Sequence, residues 1–371
     1  MGLKILLEDG FAVQKGTGIS YYTVNLFQQL KMFPEIESIQ VVEKPFLTKI
    51  YPPLLKRVLY IAWLNSGLQL LLQREKVDII HFTNYLIPVI RLSNAKYVVT
   101  IHDLTAWKFP QTLPPAYVSY IKRAISHAVK TADLILTPSE AVKKEIIELF
   151  GISGQRICAI HNSVAKSFWE IPKKHCKELA TVRNKFGIKQ NFLLFVGVIE
   201  ERKNVRTLLK AFEKLKDCKD LQLVLVGRPG FGFSKVERYL QESHIKDRVV
   251  LTGYISEEDK IALYDSATIF VYPSLYEGFG IPLLEAMVRG VPIVASKIPS
   301  TEEVAGEAAI YYDDPFDHMA LAERILEVLE NDNLRQGLVE NGLKRAREFS
   351  WEKVGKRYLH AYKELLKVDK Q

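Results

Sequence analysis

The chain of 371 residues has only three cysteines and no long apolar run, and each absence excludes a class of protein. Cys158, Cys176 and Cys218 lack the spacing of a disulfide framework or of a zinc site, which fits a reducing cytoplasm. No window of about 18 residues is apolar enough to span a bilayer, and residues 1–9 have the pattern of a strand rather than of a signal peptide. We therefore expect a cytoplasmic protein without disulfides or zinc.

Two ligand-binding motifs are also missing. No Asp-x-Asp metal motif is present. Gly16-Thr-Gly-Ile-Ser-Tyr21 follows the first predicted strand, but Tyr21 stands where a dinucleotide fingerprint has its third glycine. We therefore do not expect a nicotinamide cofactor, although Gly16 and Gly18 would let the backbone approach another ligand closely.

Composition and length indicate a globular protein of two domains. Hydrophobic residues make up 48% of the chain and charged residues 25%, which is typical of soluble proteins. The net charge of +8 is uneven, because residues 1–165 carry 18 Lys and Arg against 12 Asp and Glu, and the remainder carry 33 against 31. A basic first half suggests a membrane surface or a phosphate-bearing acceptor, unless these charges only solvate the surface. No basic stripe interleaved with aromatic residues is present, so nucleic acid is not expected as a partner.

Strand and helix patterns alternate along the chain, with six predicted strands in each half. This alternation is typical of parallel sheets covered by helices on both faces, so the predicted fold class is α/β with two doubly wound domains. A polar, lysine-rich stretch at 163–189 marks the break between them. We predict domains at 1–165 and 166–350, followed by a C-terminal helix within 351–371.

Local signals set the bounds of several predicted helices. One predicted helix covers 54–74, and its residues 54–72 are unusually apolar. We expect this apolar stretch to be buried; the alternative is an interfacial helix that touches lipid. Ser256-Glu-Glu-Asp259 has the pattern of a capping box. Asp314-Pro315 supplies an N-cap and a first-turn proline, so we expect the next helix to begin at Pro315.

Glu277-Gly-Phe-Gly-Ile-Pro-Leu-Leu-Glu285 places two carboxylates across a predicted strand–loop–helix junction. Glu277 lies at the carboxyl end of the strand, where open α/β sheets bind ligands. Glu285 lies about one turn into the helix, and the amides of Phe279 and Gly280 would point from the helix start toward an anion. This layout suits a sugar nucleotide, which presents both hydroxyls and phosphates. The spacing alone would equally fit two solvated glutamates.

Three other predicted strand ends carry candidate ligand-binding residues. Arg202 and Lys203 follow the strand that ends at Gly197, and they could clamp a diphosphate and stabilise the charge that develops as it leaves. His102 could hydrogen-bond a donor sugar, or it could be satisfied locally. Gly253-Tyr254 could read a base edge through its backbone amide and carbonyl, or form an ordinary turn.

In order and spacing, these motifs resemble the retaining glycosyltransferases of family 4 (glycosyl transferases group 1) over nearly the whole chain. The resemblance implies the GT-B fold, in which two Rossmann-like domains face each other across a cleft and a C-terminal helix crosses back to the first domain. The segments that carry it are 16–21, 102–103, 197–204, 253–254, 277–285, 301–309 and 350–352.

The resemblance also implies a role for each matched residue. Glu285 is similar to the carboxylate that accepts hydrogen bonds from the nucleotide ribose, and Glu277 to the one that holds donor-sugar hydroxyls. Arg202 and Lys203 resemble the diphosphate clamp, and His102 the histidine near the transferred sugar. The other implied donor-binding positions are Gly16, Gly18, Gly197, Tyr254, Phe279, Gly280 and Ile281.

The implied activity is hexosyl transfer with retention, from a nucleoside-diphosphate sugar to a glycan or lipid-linked hydroxyl, without a metal or another cofactor. The context of Arg202, Lys203 and His102 is most similar to mannosyl-type members, which favours GDP-mannose, and the basic first domain suggests polysaccharide synthesis at the inner face of a membrane. Val198 is a departure, because some members have an arginine directly after Gly197. The alternatives are a sugar-nucleotide epimerase, a glycan phosphorylase, and a non-catalytic sugar-nucleotide-binding protein.

Overall fold

The structure is a computed structural model that describes residues 2–10, 18–42, 44, 53–173, 176–189 and 191–367. Gly16, a predicted donor-binding position, lies outside the described residues. By their contacts the residues form two compact units. The first unit comprises Met1–Ala106, Ala116–Asn162 and Trp351–Gln371, and the second comprises Trp107–Pro115 and Ser163–Ser350.

Each unit contains a six-stranded sheet whose paired strands run parallel. The first sheet, in the order β2-β1-β3-β4-β5-β6, consists of β1 Leu3–Glu8, β2 Ile36–Val41, β3 Ile79–Phe82, β4 Lys96–Thr100, β5 Leu134–Thr137 and β6 Ile157–Ala159. The second, in the order β12-β11-β10-β7-β8-β9, consists of β7 Asn191–Val196, β8 Leu221–Val226, β9 Val249–Gly253, β10 Ile269–Tyr272, β11 Ile293–Ser296 and β12 Ala309–Tyr312.

Helices connect the strands and cover both sheets. They are α1 Gly18–Leu30, α2 Pro53–Asn65, α3 Gly67–Glu75, α4 Thr105–Lys108, α5 Pro115–Thr131, α6 Glu140–Phe150, α7 Lys166–Glu170, α8 Cys176–Lys185, α9 Val205–Lys214, α10 Phe233–Glu242, α11 Glu257–Ser266, α12 Ile281–Arg289, α13 Pro299–Ala305, α14 His318–Glu330, α15 Asp332–Ala346 and α16 Trp351–Lys367. Within the described part of the chain, none is long and apolar enough to cross a bilayer.

The strand order creates one switch point in each sheet, where consecutive strands begin to add on the other side. It lies between β1 and β3 in the first sheet and between β7 and β10 in the second. In the second sheet, Ile269 and Phe270 of β10 pair with Leu193 and Leu194 of β7. The loops that follow these two strands therefore leave the sheet side by side, at the edge where open α/β sheets bind ligands.

The core of the second unit lies on both faces of its sheet because successive strand residues point to opposite sides. Phe192, Leu194 and Val196 of β7 pack into one buried cluster, whereas Leu193 and Phe195 pack into the other. β7 is thus a central strand without a polar face, as expected for a parallel sheet that is covered on both sides.

Helix α16 packs in the first unit through a buried polar network. The hydroxyl oxygens of Tyr22 and Tyr358 are 2.7 Å apart. His81 lies between Tyr362 and Thr100, with each ring nitrogen 2.7 Å from a hydroxyl oxygen. Burial lowers the pKa of His81 to about 3, so this histidine is neutral and structural.

The apolar stretch 54–74 is two helices, α2 and α3, rather than the single helix expected. Ser66 has φ −131° and ψ −75°, outside the helical region, and Gly67 follows it. A Ser–Gly pair is a frequent site of helix breaks because neither residue favours a continuous helix. The stretch is also not buried all round, since Leu55, Val58 and Ile61 are exposed.

Two other sequence predictions differ from the structure. The stretch 163–189 contains α7 and α8, and Phe168, Val182 and Ile188 are buried in the core of the second unit, so most of it is not a linker. Helix α14 begins at His318 rather than Pro315, because the Asp317 side chain accepts hydrogen bonds from the amides of residues 319 and 320. The Ser256 cap occurs as predicted, since its side chain accepts a hydrogen bond from the Asp259 amide.

Gly227 and Gly337 offer a matched test of how tightly the second sheet is packed. A Cβ at Gly227 would lie 1.8 Å from the Gly197 carbonyl oxygen, whereas a Cβ at Gly337, in α15, would meet nothing within 4 Å. Gly227→Ala should therefore lower the free energy of unfolding by roughly 2–4 kcal/mol. Gly337→Ala should raise it by about 0.5–1 kcal/mol. Urea unfolding measures both, and equal effects would contradict this packing.

Candidate functional site

The loops after β7 and β10 are joined to each other at the switch point of the second sheet. The Leu275 amide donates to the Arg202 carbonyl at 2.9 Å. The Asn204 side-chain amide donates to the Pro273 carbonyl at 3.1 Å, and Asn204 has a left-handed backbone with φ 54°. Because asparagine tolerates this conformation better than most residues, it suits the turn that presents Lys203.

Glu277 forms a buried ion triad with Arg202 and Lys203. Lys203 Nζ lies 2.5 Å from Glu277 Oε1, and Arg202 Nη1 donates to Glu277 Oε2 at 2.8 Å. Glu200 accepts a second bond from Arg202, at 2.9 Å from Nη2. The cluster therefore contains two cations and two carboxylates. The predicted clamp and the predicted sugar-binding carboxylate hold each other in place.

The triad controls the protonation of its members. Burial alone would raise the pKa of Glu277, but the charges of Arg202 and Lys203 outweigh burial and lower it to about 2. Burial lowers the pKa of Lys203, and the Glu277 charge only partly offsets this. Glu277 is thus a carboxylate at neutral pH and a weak base.

Glu285 has a separate set of partners on α11. Lys260 Nζ lies 2.5 Å from Glu285 Oε1, and the Tyr264 hydroxyl donates to Oε2 at 2.9 Å. Lys260 and Tyr264 are four residues apart, so they lie on the same face of the helix. Burial and the Glu285 charge raise the pKa of Tyr264 well above its ordinary value, so the hydroxyl remains a donor.

The start of α12 lies between the two glutamates. Gly280 has φ 98°, a conformation that favours glycine, and it occupies the N-cap position before Ile281. Ile281 is half-buried against the core. The Phe279 side chain is buried and lies 5.8 Å from the Phe349 ring, so only its backbone could reach a ligand. The first amides of a helix have no acceptors within the helix, which suits an anion.

Gly197 follows β7, the strand that leads to Arg202 and Lys203, and Tyr254 follows β9. The Gly197 amide donates to the Val226 carbonyl at 2.9 Å, so it belongs to the sheet. Tyr254 is 66% exposed. The Gly253 carbonyl accepts hydrogen bonds from the Gly227 amide and the Thr252 hydroxyl, both at 3.0 Å. The Gly253 carbonyl is thus engaged within the second unit, and the reading of a base edge by the backbone of Gly253-Tyr254 stays a prediction.

In the first unit, His102 follows β4 and Gly18 is the first residue of α1. Its Nε2 lies 2.8 Å from the Thr83 carbonyl oxygen, and its ring meets Tyr22 edge-on with centroids 5.0 Å apart. Burial lowers the pKa of His102. The imidazole is therefore neutral, with Nε2 as the donor and Nδ1 as the acceptor of this tautomer.

The sequence interpretation missed Lys260, Tyr264 and Glu200. Lys260 and Tyr264 follow the Ser256 cap at helical spacing, but nothing in that pattern links them to Glu285. The first unit holds a further buried pair that was missed, since Lys44 Nζ lies 2.6 Å from Glu8 Oε1. Among the described residues, no group of His, Cys, Asp and Glu side chains could hold a metal ion.

Comparison with known proteins defines the class. The family model "Glycosyl transferases group 1" matches residues 179–345, and "Glycosyltransferase Family 4" matches residues 32–168. Solved structures share the fold over nearly the whole chain. A glycosyltransferase from Rickettsia africae has a TM-score of 0.76 at 19% identity and covers 99% of both chains. Anabaena HepE in complex with UDP-glucose has a TM-score of 0.75 at 17% identity and covers 98% of this chain and 100% of its own. The predicted GT-B fold is confirmed.

The chain belongs to the group 1 glycosyltransferases, and it is an enzyme of that class. Among its relatives, O-antigen chain mannosyltransferase B of Escherichia coli is 36% identical over 298 residues, which is 79% of this chain and 76% of the relative. The O-antigen chain mannosyltransferase RfbU of Salmonella typhimurium is 26% identical over 319 residues, covering 80% and 83% of the two chains.

Glu277→Gln tests the triad through its pH dependence. The pKa of Glu277 in the folded protein is about 2, below its ordinary value of 4.5. The charged carboxylate therefore stabilises the fold above about pH 4.5, and this contribution is lost as the pH falls toward 2. The difference in free energy of unfolding between wild type and Glu277→Gln should shrink over that range, by on the order of 3 kcal/mol.

The measurement is urea unfolding at a series of pH values. Glu170→Gln serves as a control, because Glu170 forms an exposed pair with Lys166 in the same unit. Its difference from wild type should stay near zero throughout. A pH-independent difference for Glu277→Gln would show that the triad does not set the charge of this carboxylate.

Proposed function

We propose that this glycosyltransferase moves a mannosyl residue from GDP-mannose to a glycan or lipid-linked hydroxyl, with retention of anomeric configuration. The observation that carries the proposal is the ion triad of Glu277, Arg202 and Lys203 at the switch point of the second sheet. The mannosyl donor is supported by two relatives named as O-antigen mannosyltransferases. A UDP-sugar is the second candidate donor.

Each carboxylate of the second unit has a proposed ligand. Glu285 would accept hydrogen bonds from the ribose hydroxyls, and Glu277 from hydroxyls of the donor sugar. A carboxylate offers about four lone-pair sites. Among the described residues, Lys260 and Tyr264 are the donors to Glu285, which therefore keeps acceptor capacity. Arg202 and Lys203 would contact the diphosphate, together with the backbone amides at the start of α12.

The charges of the triad favour a particular order of events. As the bond between the sugar carbon and the diphosphate oxygen breaks, negative charge grows on the diphosphate, and Arg202 and Lys203 stabilise it. A carboxylate with a pKa of about 2 is too weak a base to take the acceptor proton at neutral pH. We therefore assign that proton to the leaving diphosphate, on the same face of the sugar. This route retains configuration and needs neither a covalent glycosyl-enzyme nor a metal.

The first unit is the proposed acceptor side. His102 is neutral and would hydrogen-bond a sugar hydroxyl rather than act as a cation. Gly18, at the start of α1, would let the backbone approach a ligand. A lipid-linked acceptor would hold the enzyme in the cytoplasm at the inner face of a membrane, where the basic first half of the chain would favour anionic lipid.

The experiment is a thermal-shift screen of GDP- and UDP-sugars, with and without EDTA, followed by an assay of donor turnover. A ligand that binds only the folded state raises the melting temperature. GDP-mannose should give the largest shift, and EDTA should not reduce it. A larger shift with a UDP-sugar would reject the donor, and a strict need for Mg²⁺ or Mn²⁺ would reject the metal-free route. Conversion of the donor alone into a second sugar nucleotide would indicate an epimerase.

Glu285→Ala and Lys260→Met should each weaken GDP-mannose binding about tenfold or more, because a hydrogen bond to a charged group is worth roughly 1.5–3 kcal/mol. Lys260 acts through Glu285, whose position it fixes. Lys185→Met is the matched control. Lys185 pairs with Asp259, which lies on the same helix as Lys260, and this pair is more exposed than the pair of Lys260 and Glu285. Isothermal titration measures all three. If Lys260→Met binds GDP-mannose like wild type and Glu285→Ala does not, Lys260 has no positioning role, whereas the assignment of Glu285 to the ribose stands.

A further inference from the structure

The first unit carries an apolar surface that its fold does not bury. We define the docking surface as the outward side of α2, with Leu55, Val58 and Ile61, together with the loop 89–92. The exposed fractions are 42%, 55% and 45% for the three helix residues. In the loop, Val89 is 72% exposed, Ile90 48% and Leu92 56%. Contiguous exposed apolar residues of this kind mark an interaction site more often than a solvated surface.

The loop 89–92 exposes its apolar side chains to solvent, whereas its charged side chain contacts the protein. Its one charged residue, Arg91, is itself exposed but lies along the protein, where it pairs with Asp133 at 2.8 Å and lies 4.4 Å from the centroid of the Tyr97 ring. The three apolar residues of the loop face the solvent instead. Hydrophobic burial within the unit cannot be the reason for this arrangement, since it would favour the opposite one.

Three side-chain amides hold the loop in this conformation. Asn65 Oδ1 accepts hydrogen bonds from the amides of Val89 and Ile90 at 2.7 and 2.9 Å. Gln69 Oε1 accepts from the Leu92 amide at 2.9 Å, and Gln73 Nε2 donates to the Leu92 carbonyl at 3.0 Å. Residues 65, 69 and 73 follow one another at intervals of four. The apolar loop is therefore fixed in place beside the end of α2.

The helices beside this surface carry positive charge. Residues 53–74, which span α2 and most of α3, include Lys56, Arg57 and Arg74 and no Asp or Glu. Lys56 and Arg57 lie on α2 between the exposed apolar residues. Such a surface is complementary to an anionic layer, and it would repel a second copy of itself.

We infer that the docking surface binds the headgroup region of an anionic lipid bilayer. Val89, Ile90, Leu92 and the outward side of α2 enter the boundary between headgroups and acyl chains, and Lys56 and Arg57 meet lipid phosphates. The inference deepens the proposed function, because it names the surface that would place the enzyme at a lipid-linked acceptor. It does not depend on the identity of the donor.

The test is co-sedimentation of the full chain with vesicles of phosphatidylethanolamine and phosphatidylglycerol, and with vesicles of phosphatidylcholine alone. Wild type should bind the anionic vesicles more tightly, and added salt should weaken this binding. The double variant Val89→Ser/Ile90→Ser should lower the partition coefficient about tenfold or more, because two apolar side chains no longer enter the bilayer. Lys56→Gln and Arg57→Gln should each lower it about fivefold.

Leu149→Ser is the matched control. Leu149 is also an exposed apolar residue of the first unit, at 42%, but it lies on α6, whose charged residues are of both signs. Its removal should leave vesicle binding unchanged. The thermal shift with GDP or UDP should be the same in wild type and in Val89→Ser/Ile90→Ser, so failure of docking and failure of the donor site can be told apart.

Three outcomes would overturn the inference. The first is wild-type protein that binds neither kind of vesicle, and the second is a Val89→Ser/Ile90→Ser variant that binds like wild type. The third is a concentration-dependent dimer in analytical ultracentrifugation that this double variant abolishes, because the surface would then belong to a second copy of the chain.

Discussion

The buried contact of Glu277 with Arg202 and Lys203 is the constraint on which the second unit's ligand-binding edge depends. Arg202 and Lys203 can be buried beside Glu277 because Glu277 and Glu200 together balance their two charges, and loss of one partner of a buried pair typically costs about 3–5 kcal/mol. The backbone bond from Leu275 to Arg202 brings the two loops together independently of these charges. The side chains are thus fixed before any ligand arrives, which is the condition that the proposed stabilisation of a departing diphosphate requires.

Glu285, like Glu277, has a hydrogen-bond donor on each carboxylate oxygen, but its partners are different residues. Glu277 and Glu285 each have a lysine on one oxygen and a second donor on the other, so both carboxylates are oriented without a ligand. The two sets of partners come from different loops and helices. In the proposed donor site, the two carboxylates would therefore contact the two ends of a nucleotide sugar independently, as distant sites usually act.

Local signals in the sequence predicted most helices and strands, and they failed where two signals competed. The apolar stretch 54–74 has the composition of a continuous helix, but Ser66 and Gly67 interrupt it. Asp314-Pro315 and Asp317 both resemble helix starts, and Asp317 is the cap because its carboxylate reaches two amides. Exposure was harder to predict than helicity. The outward side of α2 has the same residue types as a core helix, and only the surrounding fold determines which side is covered.

The sequence by itself determined the two parallel sheets and the strand ends on which polar residues stand, because alternation and strand length are properties of consecutive residues. It also placed Arg202, Lys203 and Glu277 after such ends, and Glu285 about one turn into the helix that follows Glu277. Only the tertiary structure decided that β10 lies beside β7, which brings Glu277 to Arg202 and Lys203. It likewise decided that α11 supplies Lys260 and Tyr264 to Glu285. Which elements become neighbours depends on packing between segments far apart in the chain, and no local pattern carries that information.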